Sequence, residues 1–396
     1  MSGTPLHYSV AICGAGPVGQ SLALLLRQVG IAAEKILLID AKTHQQAQHD
    51  ARSIALSYGS RQILQSVTAW SAHVTPIQQI HVSRRGHFGR CLIEAETYQL
   101  PALGYVARYG DIIAPLQAQV VQATIAQQRP LLIQQIVEND EAVQLHAANG
   151  DMISADMVVQ AEGGLFAQEQ TQNSAHKMQQ KNYRQTAIVT QISSAKGAGN
   201  CAFERFTDQG PLALLPQDDG YALVWCVHAD HADQLMALND SDFLAALQQA
   251  FGDRLGQLIS TGKRHRFPLG LQIQEDDAPD SRLVRIGNAA QILHPVAGQG
   301  LNLGLRDALI LSKNLAGLAS SSSAPHNIKT ALQQFRQQRR ADRSNTIKLT
   351  DCLARWFTQR GSFSLSQNVL SFGIGALDLL APAKQALAEQ MMFGRR

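Results

Sequence analysis

The sequence predicts an α/β chain: a Rossmann-like dinucleotide-binding domain with an inserted antiparallel β-sheet domain, followed by C-terminal helices. Three observations carry that prediction. Near the N-terminus a glycine-rich turn, GAGPVG, stands between an apolar strand and an apolar helix. From Tyr183 to Pro268, strand-like runs follow one another with a single helical interruption, so they make a sheet of their own instead of continuing a βαβ alternation. Beyond them, Gly287 to Asp307 (GNAAQILHPVAGQGLNLGLRD) packs four glycines between a strand and a long helix, where a flat ligand can touch backbone.

With 396 residues, 45% of them hydrophobic and 16% charged, the chain can bury a large core, as two domains or as one with a sizeable insertion. A net charge of +3 gives no electrostatic reason to expect nucleic acid as a partner. The five cysteines, Cys13, Cys91, Cys201, Cys226 and Cys352, are odd in number and include no CxxC pair, which fits a reduced, cytoplasmic compartment. The N-terminal MSGTPLHYSV lacks the basic start and apolar core of a signal peptide, and no run reaches the roughly 18 apolar residues of a spanning helix. Any membrane contact is therefore expected to be peripheral, at the inner face of the cell membrane. No metal site is expected, because His81, His87, His228 and His231 have no carboxylate or thiolate at ligand spacing.

In chain order, His7 to Cys13 reads as a buried strand, followed by Gly14, Gly16 and Gly19, an apolar helix from Ser21 to Val29, and a strand from Lys35 to Ile39. That strand ends in Asp40, 24 residues after Gly16. Strand, GxGxxG, helix, strand and acid form a dinucleotide-binding unit: the glycines admit the turn and the pyrophosphate, and the acid accepts from ribose hydroxyls. The motif alone does not separate FAD from NAD. Arg52, in DARSIALSYGS, follows a polar stretch and reaches either a phosphate or flavin edge or a local pairing partner. A helix is predicted from Arg61 to Trp70, a strand around Ile77 to Val82, and a helix from Ile112 to Gln128. Strands at Leu131 to Val137 and Ala142 to His146 follow, with a turn at Asn149 and Gly150. The strand Met157 to Gln160 runs into Glu162 and Gly163, an acid-glycine turn suited to a second grip on a long cofactor.

The predicted sheet comprises Ala187 to Ile192, Ala202 to Phe206, Leu212 to Leu215, Tyr221 to Val227 and Arg264 to Leu269, with a helix at Asp240 to Phe251. Phe206, Leu215 and Trp225 are its candidates for substrate contact. Gly298 and Gly300 remove Cβ atoms at the start of a helix running from Gln299 to about Leu318, leaving its first N–H groups open. A helix start carries roughly half a positive charge and suits a ligand that becomes anionic. After a Ser-rich loop, Thr330 to Phe357 reads helical with Arg336, Arg339, Arg340 and Arg343 on a solvated face, or in contact with anionic lipid or a protein partner. The apolar tail from Phe363 to Arg396 either packs on the body or helps draw a substrate from a membrane.

Gly14 to Gly19, Arg52, the pair Glu162 and Gly163, and Gly287 to Asp307 together resemble the class A flavoprotein monooxygenases of the para-hydroxybenzoate hydroxylase fold. More narrowly, IHVSRRGHFG, FERFTDQGPLALLP and GNAAQILHPVAGQGLNLGLRD are similar to the hydroxylases of ubiquinone biosynthesis that act on polyprenylated methoxyphenols. The resemblance covers nearly the whole chain. It implies an FAD-binding domain of glutathione reductase type from residues 1–75, 103–180 and 280–345, a substrate domain from 76–102 and 181–279, and a C-terminal helical segment, 346–396. It also implies FAD as cofactor, NADPH or NADH as electron donor, O2 as co-substrate, and hydroxylation of the polyprenylated phenol para to its hydroxyl through a flavin hydroperoxide. The substrate would arrive by peripheral membrane contact or from partners in a ubiquinone-biosynthesis complex. A hydroxylase acting on another ring position or a soluble phenol, and a flavin-binding scaffold subunit, are the alternatives.

Laid on this sequence, the resemblance assigns Gly14, Gly16 and Gly19 to the FAD pyrophosphate, Asp40 to the adenosine ribose, and Arg52 to the phosphate and ribityl region, with Glu162 and Gly163 as the second grip. Gly287 and Asn288 fall at the ribityl chain; Pro295, Gly298, Gln299, Gly300 and Asn302 line the isoalloxazine ring, with His294 beside them in the catalytic set. Two departures stand out. Asn288 replaces the family's aspartate, keeping an acceptor without the charge. Glu162 replaces another, and Leu165, Phe166 and Gln168 follow where the family has Ser and Arg, which leaves NADPH against NADH open. For the proton of the phenol the candidates are His81, His294 and Tyr221, each of which also reads as structural.

Overall fold

The computed structural model describes residues 7–50, 52–71, 73–86, 90–162, 178–274, 278–319, 325–356 and 381–394. The chain opens with β1 (His7–Cys13), α1 (Pro17–Gln28), β2 (Ile36–Ile39) and a short α2 (His44–Gln48) capped by Thr43. Then come β3 (Ser53–Ser57), α3 (Tyr58–Val67), β4 (Val74–Ile77), β5 (Gln79–Arg84), β6 (Arg90–Glu94) and β7 (Gly104–Arg108). Helix α4 (Tyr109–Gln122) leads to β8 (Ala126–Gln128), β9 (Ile133–Glu138), β10 (Val143–Ala147) and β11 (Met152–Gln160). The long β12 (Met178–Ser194) precedes β13 (Cys201–Phe206), β14 (Pro211–Gln217) and β15 (Gly220–His228). Two helices, α5 (Ala229–Ala237) and α6 (Asp240–Phe251), separate these from β16 (Leu258–Thr261) and β17 (His265–Gln274). Last are β18 (Leu283–Arg285), β19 (Gln291–Ile292), α7 (Gln299–Leu315), α8 (Pro325–Trp356) and α9 (Ala381–Phe393).

The first sheet runs β8-β2-β1-β11-β10-β9, with β18 added alongside β11. Its core is parallel: β1 pairs with β2 and β11, β2 with β8, and β11 with β18. Strands buried on both faces read as continuous apolar runs, which is why β1 and β2 were legible. One face packs α1 (Leu22, Leu26), α4 (Leu116, Val120), α7 (Leu311, Leu315) and α8 (Leu332, Phe335) in a shared core. The second sheet runs β19-β17-β12-β15-β14-β13-β5-β6, with α5 and α6 on one side burying Phe243, Leu247 and Phe251 against Leu214, Leu223 and Trp225.

Four expectations change. The helix predicted to Gln128 ends at Gln122; Thr124 turns left-handed at φ 55°, and Ala126 to Gln128 become β8 because the edge of β2 offers them a ladder. A third sheet, β3-β7-β4, was not anticipated. The expected all-antiparallel sheet contains one parallel pair, β5 with β13, since the β5-β6 hairpin arrives from an earlier part of the chain and no tight turn dictates its direction. Of Arg336, Arg339, Arg340 and Arg343 in α8, only Arg340 is exposed; the other three do not form a solvated face. Arg336 donates to Ser281 O and Leu283 O at 2.9 and 3.0 Å, and Arg343 to Gln274 O and Ala290 O at 2.9 and 2.8 Å. Arg339, 5% exposed, pairs with Asp307 at 2.6 Å and Asp342 at 2.5 Å, and Arg306 joins Asp342 at 3.0 Å. A long arginine closes carbonyl ends and buried acids with its fork of donors, which a charge pattern alone does not reveal.

The predicted tail lies outside the described residues except for 381–394. That part forms α9, which sets Ala388 and Met392 against Cys91, Ile93 and Leu103, and Phe393 edge-on to Tyr58 at 6.1 Å. Among the described residues no helix is long and apolar enough to cross a membrane.

Candidate active site

Two glycine turns meet through Val18 of α1. At the first, Gly14 takes φ +108°, and a Cβ there would stand 2.6 Å from the Ala161 carbonyl carbon. Gly14 N–H donates to Ile39 O and Ala161 N–H to Cys13 O, both at 2.7 Å, so the turn is wedged between β2 and β11. Gly19 packs α1 onto this turn, where a Cβ would overlap Gly14 O. Gly16 is different. A Cβ on it would meet just Tyr109 Oη, at 3.0 Å, so the space above it is open. Gly16 caps α1 without a side chain and no acid occupies the first turn, which leaves N–H groups and partial positive charge facing that space.

Asp40 braces this end: Oδ2 accepts from Ala15 N–H and Oδ1 from Lys42 N–H, both at 2.8 Å. Arg129, just past β8, lies 4.0 Å from Asp40 Oδ2 and donates through Nε to Lys42 O at 3.1 Å, while both Nη atoms are buried without a hydrogen-bond partner. Idle buried donors are costly, and a ligand that brings hydrogen-bond acceptors relieves that cost. Sequence reasoning missed Arg129; its one signal was an arginine directly after the stretch that carries Asp40's backbone partner, Gln128. Arg52 is gripped in two-pronged fashion by Asp50, at 2.9 and 2.7 Å, and stands 5.2 Å over the Tyr109 ring. Burial would raise the Asp50 carboxyl, but the bonds from Arg52 outweigh it and hold it below its ordinary value. Tyr109 thereby links Arg52 to Gly16.

Glu162 follows β11 at the same end; burial, then the Asp40 charge, pushes its carboxyl up to about 7. Gly163 lies outside the described residues. An acid that holds its proton longer when folded makes stability fall with rising pH, here between about 4.5, the ordinary value, and about 7. The flavin-free protein should lose on the order of 3 kcal/mol over that window from this group. Glu162→Gln should flatten the decline, and denaturant unfolding of both proteins across that pH range checks it.

At the second turn Gly287, at φ +59°, donates its N–H to Asp307 Oδ2 at 3.2 Å. A Cβ on Gly304 would lie 2.8 Å from Val18 Cγ2 and 3.0 Å from Gly287 Cα, so α1, the Gly287 turn and α7 converge on Val18. Asn288 is exposed, its Oδ1 3.9 Å from the position of a Gly300 Cβ, and nothing else crowds that spot. Gly298 caps α7 in the left-handed region at φ +58°, again with no acid in the first turn. Asn302 is fully engaged with protein: Oδ1 accepts from Ser57 N–H at 2.8 Å, and Nδ2 donates to Gly298 O at 2.7 Å and Ala55 O at 3.2 Å. Gln299 Nε2 donates to Met391 O at 3.4 Å, bringing α9 to the start of α7.

His294 ties the loop through Pro295 to the second sheet. Its Nδ1 accepts from Val296 N–H at 3.2 Å, which assigns the proton to Nε2, directed at Gln185 Oε1 at 3.2 Å. Burial lowers its pKa to about 4, so the ring is neutral, and Tyr183 packs edge-on at 5.2 Å. The sheet face opposite this loop carries Phe206, in contact with Val296, and Leu215, beside Ile77 and Val106. Trp225 is not brought to it: strand alternation with Leu212 turns its ring to the helix side, 6.1 Å from Phe243. His81 and Tyr221 also face the helices, His81 5.8 Å from the Phe203 ring and Tyr221 accepting from Gly199 N–H at 3.3 Å. Among the described residues no group of three or more potential metal ligands occurs.

The FAD binding domain family matches residues 7–343. The chain is 32% identical to an uncharacterized protein of Synechocystis sp. over 99% of this chain and 94% of that one. It is 29% identical to ubiquinone hydroxylase UbiL of Rhodospirillum rubrum, covering 97% and 89% of the two chains. Identity to the 3-demethoxyubiquinol 3-hydroxylase of Escherichia coli is 29%, covering 84% and 85%. Among solved structures, p-nitrophenol 4-monooxygenase PnpA of Pseudomonas putida shares the fold with a TM-score of 0.73 at 12% identity, covering 99% and 100%.

Proposed function

The chain belongs to the FAD-dependent monooxygenases and is an aromatic hydroxylase of the ubiquinone-hydroxylase type; from that premise we propose that its substrate is a polyprenylated methoxyphenol, hydroxylated para to its hydroxyl. The observation that carries this reading is the apolar sheet face of Val82 and Phe206 packed on Val296, with Leu215 further along the same face, an arrangement that would shelter a flat ring with an apolar tail from water. The names of the Rhodospirillum and Escherichia relatives support the ubiquinone class of substrate. The Escherichia name favours a second reading, hydroxylation at another ring position.

The groove fits FAD. Open space above Gly16 and Gly300, two uncapped helix starts and the idle nitrogens of Arg129 are features that an elongated, doubly anionic dinucleotide completes. Gly14, Gly16, Gly19 and Arg52 would receive the pyrophosphate region, and Asp40, Glu162 and Arg129 the adenosine end. Asn288 would bind the ribityl chain, and Pro295, Gly298, Gln299 and Gly300 the ring, with Asn302 and His294 holding that loop in shape. Bound there, FAD supplies the redox chemistry, taking electrons from NADPH or NADH and activating O2. The start of α7 favours negative charge on the group it faces, and α9 with the second sheet excludes water. The division proposed is an FAD-binding domain of residues 1–75, 103–180 and 280–345, with 76–102 and 181–279 over the substrate. Access to a prenylated substrate would come by peripheral membrane contact.

Mass spectrometry of quinone intermediates in a strain lacking the protein reads ring position and tail together. The expected accumulation is a prenylated methoxyphenol unsubstituted para to its hydroxyl. An intermediate already oxygenated there would shift the assignment to another position.

A further inference from the structure

Hydroxylating a phenol para to its oxygen is fastest when the phenol has given up its proton, and His81, Tyr221 and His294 are either turned away or engaged at both ring nitrogens. We propose that Glu204 takes that proton, as a catalytic base on the sheet wall facing the Val296 to Gly298 loop. The proposal rests on the phenol hydroxylase reading above.

Its position follows from strand register. Along β13 the residues Ala202, Glu204 and Phe206 share one face, while Arg205 reaches the opposite side, where its Nε donates to Ala250 O at 3.1 Å. Ala202 packs with Val106; Val106 pairs with Ala55, whose Cβ lies 3.1 Å from the position of a Gly298 Cβ. Phe206 packs on Val296. Glu204, midway between those two anchors, therefore looks out over the loop that would hold the ring.

Its surroundings are those of a base and not of a structural acid. Register places Val82 on β5 and Ala213 on β14 beside it, and Val224 beyond Ala213, all apolar. Oε1 is buried with no hydrogen-bond partner, yet the residue as a whole keeps some exposure. Burial alone pushes the carboxyl up to about 7. The other titratable groups are Cys226 on β15, raised by burial and then by Glu204 itself; Arg84 and Cys91, on this face by alternation; and the neutral His294 at the start of the loop. An acid left bare in an apolar wall destabilises the fold, and no ion pair or bond here offsets that cost.

In the step itself the phenol O–H bond breaks and its electron pair stays on the phenol oxygen. The proton forms a new O–H bond to the Glu204 carboxylate, giving a neutral acid that suits the wall. The raised carboxyl also lies nearer than an ordinary one to a phenol's value of about 10, which eases the transfer. The phenolate oxygen then feeds electron density to the para carbon.

The test uses FAD-loaded wild type, Glu204→Gln and Glu204→Asp with a nitrophenol analogue whose neutral and ionised forms absorb differently. Bound to wild type, the analogue should ionise at a lower pH than the same analogue bound to Glu204→Gln. In Glu204→Gln its ionisation should move to higher pH, with turnover of the natural substrate class down roughly 100-fold, flavin content unchanged, and partial recovery in Glu204→Asp. Equal ionisation and near-equal turnover in Glu204→Gln would overturn the role of Glu204 alone. Failure of any phenol to perturb the wild-type flavin spectrum would overturn the phenol reading, and the base with it.

Discussion

Replacing Gly16 by valine should give a folded protein that does not hold flavin. The backbone there is extended, at φ −75° and ψ −174°, which valine adopts without strain. Its Cβ meets a single tyrosine oxygen, so the core is undisturbed, but the methyl groups fill the space in front of α1. We expect at least a 100-fold loss of FAD affinity, about 3 kcal/mol, with the melting curve of the flavin-free protein unchanged. Fluorescence titration of apoprotein measures the first and circular dichroism the second. A yellow, active variant would remove the pyrophosphate from this turn. Gly14 cannot serve the same test, because a Cβ there collides with the Ala161 backbone and would break the β1-β11 junction itself.

Gly298→Val should also abolish flavin binding or its reduction, by a different route. At φ +58° a β-branched residue is strained by about 1–3 kcal/mol, and its Cβ would press on Ala55 at 3.1 Å. Stability and cofactor site should therefore suffer together. Gly298→Asn, which tolerates the left-handed region but keeps the same Cβ contact with Ala55, should relieve the backbone strain and so separate it from the crowding. Flavin content and the anaerobic rate of reduction by NADPH are the readouts; full activity in the valine variant would move the ring away from this loop.

Where local chemistry decides structure, the sequence was readable. The β1-α1-β2 unit, α6 from Asp240 and the start of α7 at Gln299 follow from apolar period, an Asn239 cap and paired glycines. Where a distant partner decides, it was not. Nothing in Ala126 to Gln128 announces a strand until β2 lies beside it. The α8 arginines look solvated until carbonyl ends and Asp307 are brought to them. Trp225 and Phe206 look alike as aromatic strand residues, and register alone sends them to opposite faces. Arg129, between a predicted helix and a strand, and Glu204, within a strand, were passed over for one reason: a charged residue reads as surface until its neighbours are known to be apolar or unpaired.

The two glycine turns that converge on Val18 are separated along the chain by most of its length. Protein synthesis proceeds at roughly 5–20 residues per second, so Asn302 is made roughly 15 to 60 s after Gly16. During that interval the chain carries the first turn without the second. FAD can be captured firmly after the ribosome has delivered α7, and a ligand that binds the finished fold stabilises it by mass action. Flavin supply during expression should therefore govern how much of the chain escapes proteolysis, as well as how much of it is active.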